Sequence, residues 1–289
     1  MNGIWWIWIA IGLLLAAELT ILRRVTQQRG SSDQDIIQIR LGYAQYIGER
    51  EEQQDDYRIS DLEDEAIIKR QGVLAVLADG MGGYEMGKEA GQLAAQVMLE
   101  QYGKRAAEEL APHALRRALH AANQAVYELA LTHELEWSVG TTLVAVVIQE
   151  GRLFWISSGD SRIYLYRGGR LTALTKDHIY GNRLQERVEA GELTEEEAAA
   201  HPERHLLTSY LGIPLVTEID ANLVPLHLTA GDFVILSSDG LNEDLSEELL
   251  GEALTLSPPE AAASIITHVM NQQRPYQDNA TIVIAGCYS

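Results

Sequence analysis

Cysteine is nearly absent from this chain, with Cys287 the single instance. An intrachain disulfide and a cysteine-only metal site are therefore excluded. Cys287 sits in an apolar stretch near the end, a poor setting for a nucleophilic thiolate. Basic residues are also scarce: 22 Lys and Arg stand against 42 Asp and Glu, a formal charge of −20. That balance disfavours a general nucleic-acid binder, whose surface must match a phosphate backbone. Compact zinc-ligand spacing is missing. His178, His201 and His205 fit no HExxH pattern and read as surface or hydrogen-bonding histidines. Prolines are few, 7 in 289 residues, and 46% of the chain is hydrophobic, so it is globular and long enough to bury a substantial core. The surplus carboxylates are hard oxygen donors, although most must be solvated surface.

Residues 4–22 read IWWIWIAIGLLLAAELTIL. Their number approaches the roughly 20 needed to span a bilayer. Trp5, Trp6 and Trp8 lie at one end, and Arg23, Arg24 and Arg29 follow the other. The positive-inside rule then places the N-terminus outside and the bulk of the chain in the cytoplasm. A cleaved signal peptide is disfavoured by the missing basic n-region and cleavage site. A buried core helix is the bland alternative, and the clustered tryptophans and arginine stop weigh against it. The expectation is a single-pass anchor in the cell membrane over 1–24, a linker over 25–35, and one cytoplasmic domain over 36–289.

Within that domain, alternation over 36–47 predicts a strand with one face buried. A short strand is expected over 57–60 and a loop over 61–65. Apolar spacing predicts helices over 87–102 and from Pro112 through Leu129. Hairpins are expected at Glu150-Gly151 and Gly168-Gly169. Two helices follow in an insertion, the second opened by a Thr194/Glu197 capping box. Strands are expected over 218–226, 232–238 and 279–287, with a helix over 259–269. This order fits a layered α/β architecture of predominantly antiparallel sheets.

The apolar run 73–78 ends at Asp79-Gly80-Met81-Gly82-Gly83. An Asp-Gly pair by itself is an ordinary turn. The pattern returns, however, where a second apolar run ends at Asp239-Gly240. Asp55, Asp160 and Asp278 also stand at strand-turn junctions. Each alone reads as a cap or turn; together they could hold hard divalent ions through oxygen. Arg50 precedes an acidic cluster that is either solvated surface or a phosphate-gripping guanidinium beside a metal carboxylate.

In order and spacing, Arg50-EEQQ-Asp55, Asp79-Gly-Met-Gly-Gly, Ser138-Val-Gly-Thr-Thr, Gly159-Asp-Ser-Arg, Leu174-Thr-Lys-Asp-His, Ser238-Asp-Gly-Leu and Asp278-Asn-Ala-Thr resemble the metal-dependent protein phosphatases of the PPM/PP2C family. The resemblance covers 36–289. It implies a four-layer α-β-β-α sandwich of two antiparallel sheets flanked by helices. It further implies hydrolysis of phosphoserine and phosphothreonine in proteins by a water bridging two Mn²⁺ or Mg²⁺ ions, with no phosphoenzyme. Asp79 looks like the bridging carboxylate, and the Gly80 carbonyl like its backbone companion. Asp239 and Asp278 look like ligands of the first ion, and Asp55 completes the other side. Asp160, with Asp239, resembles the holder of a third, weaker ion. Arg50 resembles the phosphate-binding arginine, and 182–214 the flap beside the site. Gln53-Gln54-Asp55 departs from the usual Asn at its first position, which puts a turn hydrogen bond in question. The implied partners are a phosphoprotein and an opposing Ser/Thr kinase, with the membrane reached through the N-terminal segment. The competing readings are a hydrolase of a small phosphorylated metabolite and a catalytically silent, membrane-tethered phosphoprotein-binding module.

Overall fold

Strand β3 (Val73–Met81) is buried on both faces, and its residues divide alternately between two cores. Leu74, Val76 and Ala78 join one apolar cluster, Ala75 and Leu77 another. Side chains alternate across a strand, so a sheet with both faces buried must lie inside a layered fold. The computed structural model describes residues 37–82 and 86–289. All its strand pairs are antiparallel.

The strands in chain order are β1 (Gln38–Tyr46), β2 (Asp55–Ile59), β3, β4 (Gly140–Thr141), β5 (Leu143–Gln149), β6 (Arg152–Ser158), β7 (Arg162–Arg167), β8 (Arg170–Ala173), β9 (Asp220–Ala221), β10 (Leu226–His227), β11 (Phe233–Ser237) and β12 (Ala280–Tyr288). One sheet runs β10-β6-β5-β3-β2, with β4 on β3 and β9 on β6; the other runs β1-β12-β11-β7-β8. Between them lie Ala75 and Leu77, Val144 and Val146, Ile163 and Leu165, Val234 and Leu236, and Val283 and Ala285. Truncating fully buried Leu77 to alanine would cost about 2–5 kcal/mol through lost transfer energy and the cavity left behind.

Helices close the two outer faces. After α1 (Glu65–Gln71), α2 (Gly87–Gly103) and α3 (Ala111–Thr132) cover the first sheet. Their inward stripe is rich in alanine (Ala90, Ala94, Ala114, Ala118, Ala122), which lets the backbones approach closely. The insertion contributes α4 (Tyr180–Glu189) and α5 (Glu195–Ala199); the predicted capping box is formed, each of Thr194 and Glu197 bonding the other's backbone N–H. Then α6 (Glu247–Ala253) and α7 (Pro258–Gln272) cover the second sheet through Leu250, Ala261, Ile265 and Val269. The result is the four-layer sandwich.

The membrane-anchor expectation is corrected. Among the described residues no helix is long and apolar enough to cross a membrane. The segment 4–22 on which the anchor, the single-pass topology and the membrane partner rested lies outside the described residues. The membrane placement is withdrawn.

Two local differences have clear causes. The expected loop 61–65 leads directly into α1, because the Asp64 carboxylate accepts from the N–H groups of Ala66 and Ile67 and so opens a helix too short to show apolar periodicity. The single strand expected over 218–226 is reduced to β9 and β10. Between them the Asn222 side chain takes the place of a strand backbone, accepting from Trp155 N–H and donating to the Leu153 carbonyl.

Candidate active site

The layer between the sheets turns polar at one end. The alternation that buries Ala75 and Leu77 there also carries Asp79 into it. Asp55 opens β2 directly opposite Asp79 in register. At the same end β11 runs out through Ser238 into a single 3₁₀ turn, Asp239–Leu241, and β12 begins just after Asp278. Asp160 stands in the turn between β6 and β7.

Asp79 is fixed by its backbone. Its carbonyl accepts from Thr142 N–H at 2.9 Å and from the Thr141 hydroxyl at 2.9 Å. Its N–H donates to the Thr142 Oγ1 at 3.2 Å. Gly80 must be a glycine, since a Cβ there would stand 2.0 Å from the Gly87 carbonyl oxygen. Strand end and helix α2 thus meet backbone to backbone. Asn279 pins the loop before β2: its Oδ1 accepts from Gln54 N–H, and its Nδ2 donates to the carbonyls of Ile47 and Glu52. The turn bond questioned at Gln53 is present, because Gln53 Oε1 accepts from Asp55 N–H at 3.2 Å.

Electrostatics set this end apart. Burial, helped by Asp239 and Asp278, pushes the Asp55 carboxyl up to about 7, against bonds from Thr281 and Ser238 that favour its charged form. Burial raises Asp79 well above the carboxylate range, and the charges of Asp55, Asp239, Asp160 and Asp278 raise it further. Asp160 is likewise pushed up to about 7 by burial and by Asp239. Asp239 is raised by burial and by the charge of Asp278. Asp55 Oδ1 and Asp239 Oδ1 are buried without a hydrogen-bond partner. The guanidinium bonded to this cluster is Arg50, whose Nη2 donates to Asp278 Oδ2 at 2.7 Å across an exposed pair.

Among the described residues no three Asp, Glu, His or Cys side chains converge on one point closely enough to hold an ion outright. The aspartates are spread over the floor of an open cleft of ≈ 530 Å³ lined by Arg50, Asp79, Gly80, Asp160, Asp239 and Asp278. Asp55 lies behind them, buried under Thr281, whose hydroxyl donates to its Oδ2 at 2.7 Å. Spread carboxylates suit Mg²⁺ or Mn²⁺, which keep several waters and take one or two carboxylates each. An all-oxygen donor set points the same way.

Of the three histidines singled out above, His205 lines the cleft and the other two do not. His178 Nδ1 accepts from Gly159 N–H at 3.0 Å, so it supports the turn that carries Asp160. Sequence reasoning quoted Ser138-Val-Gly-Thr-Thr and Asp278-Asn-Ala-Thr without giving Thr141, Thr142, Asn279 or Thr281 a task. Their position within three residues of a motif glycine or aspartate was the available signal. Trp137 and Tyr210, which also line the cleft, carried no signal beyond an aromatic ring in a loop.

The profile of the family described as Protein phosphatase 2C matches residues 45–283. The chain belongs to the protein phosphatase 2C family. It is 36% identical over 216 residues to the serine/threonine protein phosphatase PstP of Mycobacterium tuberculosis, covering 73% of this chain and 40% of that one. It is 32% identical over 222 residues to the serine/threonine phosphatase stp of Listeria monocytogenes, covering 73% of this chain and 83% of that one. The crystal structure of the PstP catalytic domain in complex with two manganese ions superposes with a TM-score of 0.66 at 29% identity, covering 88% of this chain and 99% of that one. This chain therefore spans well under half the length of PstP while matching its catalytic domain throughout.

Proposed function

We propose that this 2C-family phosphatase hydrolyses phosphoserine and phosphothreonine in proteins, using two divalent cations, Mn²⁺ or Mg²⁺, at the acidic cleft floor. The observation that carries the reading is a set of buried and half-buried carboxylates, with unpartnered oxygens on Asp55 and Asp239, whose one bonded guanidinium among the described residues, Arg50, sits on the exposed Asp278. A fold tolerates that arrangement when a cation completes it. Two manganese ions in the matching PstP domain support the same count. Asp79, Asp55 and the Gly80 carbonyl would hold one side, and Asp239 and Asp278 the other. Asp160, beside Asp239, would strengthen the site. Bound there, the ions would supply Lewis acidity that activates water and offsets charge on the phosphoryl oxygens.

The chain's own residues do the rest. Arg50, exposed at the cleft, can turn from Asp278 to grip two phosphate oxygens and orient the ester for in-line attack. Thr141 and Thr142 hold Asp79 against recoil. Asn279 holds the Arg50 loop to the start of β12. Residues 205–207 and 210, from the flap 182–214, wall one side of the cleft and would govern access.

The test is phosphate release from a phosphopeptide by the full chain with and without Mn²⁺, alongside a panel of small phosphorylated metabolites. Metal-supported turnover of the peptide supports the reading. Turnover confined to metabolites, or metal-supported binding without turnover, would replace it.

A further inference from the structure

One wall of the cleft is apolar and aromatic. Trp137 is 68% exposed and Leu206 58% exposed, and both line the cleft together with Tyr210. A tryptophan left so open at the mouth of a polar site is unusual, because burial of that ring is among the larger gains a side chain can bring. Its backbone is unusual too: Trp137 sits at φ 71°, in the left-handed region that a bulky residue adopts only when its surroundings impose it. The imposition is visible. Ser138 N–H and Val139 N–H both donate to the Leu135 carbonyl, closing a tight turn with Trp137 at its tip.

The flap's share of this wall is equally fixed. Leu211 and Thr141 exchange backbone hydrogen bonds, so the end of the flap is stitched to β4. Ser209 is buried and donates to the Glu218 carbonyl. Tyr210, between two tethered residues, lies over Gly140: a Cβ on that glycine would come within 2.6 Å of the ring. Gly140 thus makes room for the aromatic wall one residue before the threonine that holds Asp79.

We propose that Trp137, Leu206 and Tyr210 form a specificity subsite for an apolar side chain of the phosphopeptide, within two residues of the phosphorylated Ser or Thr. The proposal rests on the phosphatase reading above. The occupant follows from position and charge. The subsite is continuous with the floor that would take the phosphate, so what reaches it is the chain carrying that phosphate. A protein of charge −20 disfavours acidic flanks and favours basic ones wherever they bind, whereas the exposed Trp137 and Leu206 side chains add a contact that only an apolar residue can fill. Trp and Tyr are the side chains that most often anchor such contacts.

The experiment measures kcat/KM for a phosphopeptide panel in which leucine replaces serine at each of the two positions on either side of the phosphorylated residue, with a small aryl phosphate run in parallel. The wild-type chain should favour leucine about ten-fold at one position, the discrimination expected of one apolar side chain in a pocket. Trp137→Ala should bring that ratio near one, and Trp137→Phe should retain most of it. Tyr276→Ala removes the 92% exposed ring of a neighbouring depression that shares Asp239 and Asp278 with the cleft but none of Trp137, Leu206 and Tyr210, and it should leave the ratio as it was. A flat panel from a wild-type chain that turns over the aryl phosphate would overturn the subsite alone. So would a preference that survives Trp137→Ala, or one that Tyr276→Ala reduces equally. No release from any substrate would overturn the phosphatase reading on which the subsite rests.

Discussion

At the entry to β11, Asp232 is buried, only 2% exposed, and bonded to both Nε and Nη2 of Arg167, at 2.8 and 2.7 Å. At the exit of the same strand, Asp239 is half-buried, yet its Oδ1 has no partner and the charge of Asp278 acts on it more strongly than that of Arg50. Burial pushes both carboxyls up. At Asp232 the guanidinium of Arg167 and the bonds from Thr229 outweigh it and hold the group below its ordinary value. At Asp239 the neighbouring Asp278 adds to burial, and the group stays high. Asp244 is likewise bonded through both oxygens to an arginine, Arg274; Asp55 and Asp79 are raised as Asp239 is. A buried acid with an arginine serves the fold. A cluster of buried acids without one costs stability, and it persists because it can take a cation.

The largest effect should come from the second group. Asp79→Asn should lower metal-supported phosphate release by about a thousand-fold or more, roughly 4 kcal/mol of transition-state stabilisation, in a steady-state assay. Arg50→Ala should lower kcat/KM about a hundred-fold, because a phosphate loses its bidentate partner. The same variant should change unfolding free energy by less than about 0.5 kcal/mol, since the Arg50–Asp278 pair is exposed and such pairs contribute little. If stability fell with activity, Arg50 would belong with the structural arginines instead.

Smaller but sharper is the contrast in sign between the two ends of β11. Asp232→Asn should destabilise the chain by about 1–3 kcal/mol by weakening a buried charged hydrogen-bond set. Asp239→Asn should raise the melting temperature in chelator, about 2–4 °C for each kcal/mol of repulsion relieved. Calorimetric melts of both variants would break the comparison if the signs agreed.

The smallest effect is a pH trend. Asp55 and Asp160 are protonated up to about 7 in the fold but only to the ordinary carboxylate range when unfolded. Between those limits the folded chain binds more protons, so stability in chelator should fall as pH rises from about 4 to about 7. Asp232 acts the other way, its contribution present above the ordinary range and lost on acidification. Melts in chelator at pH 5 and pH 7.5 should therefore show the higher temperature at pH 5, and added Mn²⁺ should narrow the gap.

Much of this was legible in the sequence. Period-two and helical apolar spacing located β1, β3, β5 to β8, β12 and the helices α2, α3 and α7, because those elements bury continuous stripes. Elements decided by one side chain escaped: α1 depends on the Asp64 cap, the break between β9 and β10 on Asn222, and the seven-residue α6 on the Ser246 cap. The aspartates were legible as strand-end acids, and their convergence followed only from the order of family motifs, since register across two sheets leaves no mark on a linear pattern. The division between paired and unpaired acids was not legible at all. Arg167 lies 65 positions from Asp232, and Arg274 lies 30 from Asp244. The membrane reading rested on residues 4–22, outside the described residues, and no described helix is long and apolar enough to support it.

The most direct measurement is a calorimetric titration of Mn²⁺ into the wild-type chain, Asp239→Asn and Asp232→Asn, at a temperature where all three are folded. Two ions should bind the wild type, Asp232→Asn should match it, and Asp239→Asn should lose at least about ten-fold in affinity at one site. A wild-type chain that binds no Mn²⁺, or an Asp232→Asn chain weakened as much as Asp239→Asn, would contradict the assignment of the unpaired carboxylates as the metal site.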